Sequence, residues 1–148
     1  MIYPIRTIAV RLALAAGALA LSACSSMNMN MMHMSDPHLK LTGANEVPAV
    51  TTPASGTGTI TVAPDRSVSG SVTATGMSPT MAHIHQGAPG VNGPVIIPLT
   101  QSGNVFTVPA GAKLTDAQYD AYKAGNLYVN IHSAAHPGGE IRAELKDR

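Results

Sequence analysis

Residues 57–75 read TGTITVAPDRSVSGSVTAT, which is two runs of β-forming residues on either side of a turn. In the first run Ile60 and Val62 alternate with threonine, so their side chains share one face of a strand. The Pro-Asp-Arg sequence at 64–66 is typical of a turn. In the second run, residues 67–75, small or branched apolar residues occupy every second position. This stretch therefore predicts a β-hairpin.

The same signals recur along the chain in five further short runs, at residues 81–86, 95–99, 104–108, 127–133 and 140–145. Several short strands at this spacing are typical of an all-β sandwich or barrel. One helix interrupts them. Thr115 and Gln118 form a capping box, which predicts a helix from about Asp116 to Ala124 with Gly125 as its C-terminal cap. We predict an all-β, Greek-key-type β-sandwich with one short helix over residues 38–148.

The N-terminal segment reads as an export signal. Arg6 and Arg11 are followed by an apolar run at residues 12–21 and then by small residues. The end of the segment, Leu-Ser-Ala-Cys at 21–24, resembles the lipobox of bacterial lipoproteins, which implies a signal peptide at 1–23 and lipid on Cys24. The alternative is an ordinary secretory signal with a chance cysteine. Ser25 resembles the residue typical of outer-membrane sorting, so we expect a lipid-anchored envelope protein facing the periplasm or the cell surface.

A methionine-rich segment separates the cysteine from the predicted domain. Residues 24–37 show no helical or strand period, so we predict a disordered tether. It contains five methionines and His33, and soft thioether sulfur favours Cu(I). The alternative is a spacer whose methionines have no role. Charged residues make up 11% of the chain and the net charge is +1, so we expect no nucleic-acid partner.

The histidines are the strongest candidates for chemistry. His83 and His85 lie two apart on a predicted strand. On another predicted strand, Leu127, Val129 and Ile131 occupy alternate positions, and His132 follows Ile131. If the alternate apolar residues face the core, these three histidines face outward. Neighbouring strands would then bring together three neutral imidazoles, which suit copper or zinc. His136, in the following turn, is a candidate fourth ligand. The alternative is that all four are surface residues.

A family resemblance covers most of the predicted domain. The blocks AHIHQG at 82–87, GPVI at 93–96, LYVNIH at 127–132 and PGGEIRAEL at 137–145 resemble the CHRD domain, which is named for repeats in chordin and occurs in many bacterial exported proteins. The resemblance implies an all-β domain but no activity. At His136 this chain departs from the family pattern, which often has asparagine.

His83-Ile84-His85-Gln86 is also similar to the copper-binding strand of copper/zinc superoxide dismutases, although the single cysteine excludes the disulfide of that family. Glu140 and Glu144, on either side of Arg142, predict a solvated, salt-bridged strand face. We therefore predict a lipid-anchored extracytoplasmic metal-binding protein, with copper favoured over zinc and with His83, His85, His132 and His136 as ligands. The alternatives are a cell-envelope protein-interaction module, with an envelope protein as its partner, and a dismutase-like oxidoreductase.

Overall fold

The computed structural model describes residues 39–147. Within this range the chain forms nine strands, one α-helix and a short 3-10 turn, Gly43–Asn45. The strands are β1 Leu39–Thr42, β2 Ser55–Val62, β3 Val68–Thr75, β4 Pro79–Gln86, β5 Val95–Pro98, β6 Thr100–Ser102, β7 Val105–Thr107, β8 Leu127–Ser133 and β9 Ile141–Leu145. The helix α1, Asp116–Lys123, lies between β7 and β8 along the chain.

The predicted hairpin is formed by β2 and β3, which pair antiparallel from Val62 opposite Val68 to Ser55 opposite Thr75. The turn is closed by two backbone hydrogen bonds, from Ala63 N–H to the Ser67 carbonyl and from Arg66 N–H to the Ala63 carbonyl. The Asp65 carboxylate accepts a hydrogen bond from the Ser67 hydroxyl. Side-chain bonding of this kind stabilises a turn, so the local sequence is sufficient to reverse the chain here.

All nine strands belong to one antiparallel sheet in the order β5-β4-β8-β9-β1-β2-β3-β7-β6. The two end strands, β5 and β6, are separated along the chain by Leu99 alone. Because one residue carries the chain from one end of the sheet to the other, the sheet must fold round until its ends are neighbours. The Gln101 side chain donates a hydrogen bond to the Pro79 carbonyl across this junction. The result is a nearly closed, sandwich-like sheet, which confirms the predicted fold class.

The core lies inside this folded sheet and is almost wholly aliphatic. Phe106 is its one phenylalanine and is fully buried, together with Leu41 and Val72 from the hairpin side of the sheet. Ile84 of β4 and Ile131 of β8 are fully buried on the other side. The alternation read from the sequence therefore assigns the apolar positions of β4 and β8 correctly.

The helix begins where the capping box predicts. The Thr115 side chain accepts a hydrogen bond from the Gln118 N–H, and the Gln118 side chain accepts one from the Thr115 N–H. Gly125 follows the helix with a φ of 73°, the left-handed conformation that ends many helices. No helix within residues 39–147 has the length and apolar character needed to cross a bilayer. The predicted signal peptide, Cys24 and the tether lie outside the described residues.

Candidate metal site

The candidate site is built on the pairing of β4 with β8. The two strands are antiparallel, with Met81 opposite His132, His83 opposite Asn130 and His85 opposite Tyr128. Directly opposed residues in an antiparallel pair project from the same face of the sheet. One face of this pair therefore carries His83, His85 and His132, while Ile84 and Ile131 fill the core on the other face.

The three histidines come together closely enough to share an ion. One ring nitrogen from each of His83, His85 and His132 lies within 4.8 Å of the other two. The shortest distance is 3.0 Å, between Nδ1 of His83 and Nε2 of His132. Three imidazoles in this arrangement can hold a transition-metal ion.

Backbone carbonyls orient two of the three rings. Nδ1 of His132 lies 2.9 Å from the Pro137 carbonyl, and Nδ1 of His85 lies 2.9 Å from the Gly93 carbonyl. A carbonyl oxygen only accepts, so each Nδ1 donates and each Nε2 is directed away from it. Metal-binding histidines are typically held in this way by an N–H donated to a carbonyl. The contact that Nε2 of His85 makes with Oδ1 of Asn130, at 2.9 Å, would be replaced by an ion.

The predicted exposure of these histidines is wrong for two of them. His85 is 8% exposed and His132 is 5% exposed, whereas His83 is half-buried. The cause is that loops cover this face of the sheet. Gly93 contacts His85 from the loop after β4, and Pro137 contacts His132 from the turn after β8. All seven residues of β8 are buried as a result, although only one face of the strand packs against the apolar core.

Burial favours the neutral form of His83 and His132. Desolvation lowers the pKa of His83 below the ordinary 6.5, and the neighbouring His132 and His85 lower it further by charge repulsion. Desolvation also lowers the pKa of His132, against an opposing effect of its hydrogen bond to Pro137. Because a metal binds the neutral imidazole, these two side chains are in the ligand-competent form at neutral pH.

The polar face continues beyond the histidines into a buried stack. The Tyr128 ring lies parallel to His85, with 4.7 Å between ring centroids. The guanidinium carbon of Arg142 lies 3.4 Å from the centroid of the same Tyr128 ring. Since β4 and β9 flank β8, the imidazole and the guanidinium approach the phenol ring from its two sides. Tyr128 is thereby fixed next to the candidate site, and its hydroxyl accepts a hydrogen bond from the Gly93 N–H.

The prediction that Arg142 lies on a solvated, salt-bridged strand face is wrong. Arg142 is fully buried and bonds Glu144 at 2.9 Å. It also donates to the carbonyl of Val91 and to the side chain of Asn92, both in the loop after β4. The predicted ion pair exists, but the guanidinium is covered, while Glu144 stays partly exposed. A buried guanidinium with this many acceptors fixes the loop that supplies Gly93 to His85.

A buried polar layer lies on this side of the sheet. It consists of Glu46 together with His85, Tyr128, Asn130 and Arg142. Glu46 is 6% exposed, and its Oε1 has no hydrogen-bond partner among the described residues. Burial raises the pKa of Glu46 to about 7, although Arg142 lowers it by charge attraction. A Cβ atom at Gly139 would lie 2.6 Å from Oε1 of Glu46 and 2.6 Å from Nδ2 of Asn130. Gly139 therefore allows the turn after β8 to close over this layer.

His136 is not part of the three-histidine group. It lies in the turn after β8, partly exposed, and its backbone N–H donates to the Ser133 hydroxyl. Its electrostatic neighbour is Glu140. Burial would raise the pKa of Glu140, but hydrogen bonds from Ser133 and Thr52 and the charge of His136 lower it. His136 remains a prediction as a ligand.

The sequence reasoning missed the polar residues that support the histidines. Asn130 and Tyr128 share a strand face with His132, so the alternation that selected His132 also selects them. Glu46 gave no comparable signal, because it reaches the layer from a loop between β1 and β2.

The fold and the site together define a class of protein. It is an all-β domain with a histidine cluster on the shared face of two neighbouring strands. Residues 38–145 match the model of the CHRD domain. That match covers well over half of the chain, so the chain belongs to the CHRD domain family. It agrees with the resemblance expected from the sequence. No curated protein and no solved structure matches the chain.

Proposed function

We propose that the CHRD domain of this chain binds a copper ion through His83, His85 and His132. We further propose that a lipid on Cys24 anchors the domain to a membrane of the bacterial cell envelope. The observation that carries the metal proposal is the convergence of three ring nitrogens within 4.8 Å on one buried face of β4 and β8. A cluster of imidazoles that served only as core filling would not need to bring three ring nitrogens within 4.8 Å of one another.

The donor set favours copper or zinc over calcium or magnesium. Imidazole nitrogen is a borderline-soft ligand that suits copper, zinc and nickel, whereas calcium and magnesium prefer oxygen. The methionine-rich tether at residues 24–37 adds thioether sulfur, which favours Cu(I). Copper is therefore the metal for which both parts of the chain have suitable ligands.

The anchoring proposal depends on the sequence of residues 1–25. Its lipobox-like end favours lipidation of Cys24, and Ser25 favours the outer membrane, facing the periplasm or the cell surface. Replacing Cys24 by serine should release the protein into the soluble fraction or leave the precursor uncleaved. Ser26→Ala is the matched control, which should stay with the membrane. Membrane-bound, fully processed Cys24→Ser protein would contradict the anchor.

The metal proposal is tested with a mature full-length chain in which the tether sulfurs are removed, called here the sulfur-free-tether chain. It carries serine at six positions, Cys24, Met27, Met29, Met31, Met32 and Met34. An ion that binds only the folded state should stabilise it by about 2.7 kcal/mol at a hundredfold excess over Kd. We expect copper to raise the Tm of this chain. Substituting alanine for His83, His85 or His132 should remove most of the rise.

His136→Ala is the control for the three histidine variants, because this residue lies outside the cluster. The three-histidine site predicts that this variant retains the copper-induced shift, whereas loss of the shift would support His136 as the fourth ligand. If copper gives no shift at neutral pH, or if the three substitutions leave the shift intact, the metal proposal fails and a protein-interaction module of the envelope becomes the better interpretation. Superoxide turnover by the copper-loaded chain would instead support the dismutase-like alternative.

A further inference from the structure

Met81 lies at the edge of the histidine cluster. It is directly opposite His132 in the pairing of β4 with β8 and two residues before His83. Both relationships put it on the face of the sheet that carries the histidines, because opposed residues and alternate residues share a face. Its neighbour Ala82 is 1% exposed and faces the core, which agrees with this alternation.

We propose that Met81 supplies a thioether ligand to the three-histidine site and makes it selective for Cu(I). This inference rests on the metal site proposed above and deepens it. The Cβ atoms of directly opposed residues are about 5 Å apart, and the unbranched methionine side chain has three rotatable bonds beyond Cα. The sulfur of Met81 can therefore reach an ion held by His132 and His83 without movement of the backbone.

Exposure places Met81 on the accessible side of the cluster. His85 and His132 are covered by loops and are almost fully buried. His83 is half-buried, and Met81 is 47% exposed. An ion arriving from solvent meets the thioether and His83 first. A side chain this exposed on a strand contributes little to the core, so the sulfur of Met81 is accessible to an arriving ion.

The chemistry of sulfur decides which ion benefits. A thioether is a soft, neutral ligand that stabilises Cu(I) and adds little to the binding of Zn²⁺ or Ca²⁺. Three imidazoles alone would suit zinc as well as copper. A fourth ligand from Met81 therefore gives the site a preference for Cu(I) over Zn²⁺ that the histidines do not provide. It also predicts that oxidation of the bound Cu(I) to Cu(II) weakens binding.

The test compares Met81→Leu with the parent sulfur-free-tether chain. Leucine keeps the apolar bulk but lacks sulfur. Met77→Leu is the matched control, because Met77 packs against the apolar core. Affinities are measured by competition with a chromophoric Cu(I) chelator under reducing conditions and with a Zn²⁺ chelator in parallel. Loss of even a supporting residue changes metal affinity by about tenfold or more, so we expect at least that loss for Cu(I) in Met81→Leu and no change for Zn²⁺.

The outcomes separate this inference from the proposed function. Equal Cu(I) affinity in Met81→Leu and the parent would overturn the role of Met81 and leave the histidine site standing. Equal losses of Cu(I) and Zn²⁺ affinity would also overturn it, because they would indicate a structural effect. Failure of the parent to bind any metal would overturn the metal site itself, and the inference with it. A copper–sulfur signal in X-ray absorption of the parent, absent from Met81→Leu, would support it directly.

Discussion

Nδ1 of His83 lies 3.0 Å from Nε2 of His132, across the two central strands of the candidate site. The Pro137 carbonyl accepts a hydrogen bond from Nδ1 of His132, so in the neutral ring Nε2 has the lone pair. His83 then donates its Nδ1 proton to that lone pair. The metal-free site is thus held closed by one hydrogen bond between two prospective ligands, and an ion would replace the proton between them.

Metal affinity should persist into mildly acidic solution. The pKa values of His83 and His132 are both lowered, mainly by burial, so at these two ligands protons compete with the metal only below the ordinary histidine range. We expect copper affinity of the sulfur-free-tether chain to stay nearly constant from pH 8 to the ordinary value of 6.5 and to fall only below it. Calorimetric titration across this range measures it. A decline that begins above 7 would contradict the buried, neutral state of these rings.

Glu46 should make the folded protein less stable as the pH rises. Its pKa is raised to about 7 in the folded state, against 4.5 ordinarily, so the folded state holds the proton more tightly. The penalty of ionisation grows as the pH rises from 4.5 to 7 and is complete above 7. Glu46→Gln should therefore be more stable than wild type at pH 8, by up to about 3 kcal/mol, and no more stable at pH 4.

Urea unfolding at the two pH values gives this comparison. Arg142 and Glu144 face the same carboxyl group and also influence its pKa, so the informative quantity is the difference between wild type and Glu46→Gln at each pH. An unchanged difference would show that Glu46 ionises as freely in the folded as in the unfolded chain.

Removing His85 should cost folding stability even without metal. Its ring contacts the Gly93 carbonyl and Oδ1 of Asn130, each at 2.9 Å, and it is 8% exposed. The neutral ring donates one hydrogen bond, so His85→Ala leaves the Gly93 carbonyl without its donor, which costs about 1–3 kcal/mol. His136→Ala, at a partly exposed turn position, should change the free energy of unfolding by less than about 0.5 kcal/mol. Equal effects of the two variants in metal-free urea unfolding would mean that His85 is not part of a buried network.

The core residues behind the site should be far more sensitive. Ile84 and Ile131 are fully buried on the core face of β4 and β8. Replacing either by alanine should lower the free energy of unfolding by about 2–5 kcal/mol, through lost burial and the cavity left behind. Val105→Ala, at a residue 38% exposed, is the control and should cost much less. A small loss at both isoleucines would indicate that this region of the core is loosely packed.

The sequence predicts the strands of the site better than it predicts their surroundings. Alternation in residues 127–133 places Ile131 in the core and His132 on the opposite face, and both assignments are correct. Alternation carries no information about what covers the second face. The loop that brings Gly93 over His85 is positioned by the buried Arg142, two strands away from β4 in the sheet. Such burial arises from contacts between distant segments, which local periodicity does not encode.

Two short strands were missed for a related reason. β1, Leu39–Thr42, and β6, Thr100–Ser102, have four and three residues. So few residues give little periodic signal. β1 pairs with the longer β2, so pairing with a distant segment establishes it. β6 pairs only with β7, with Gln101 opposite Phe106. The helix, in contrast, was predicted because its capping box is a local feature.

The two end strands of the sheet, which are joined through Leu99, also affect how copies of this domain behave at high concentration. An open sheet presents unpaired N–H and C=O groups along its outer strands, where a second molecule can add a strand. Here both outer strands are short, four residues in β5 and three in β6, and β5 ends in Pro98, which has no N–H to donate. The domain should therefore resist strand-by-strand aggregation at the high local concentrations that arise when many molecules share one surface.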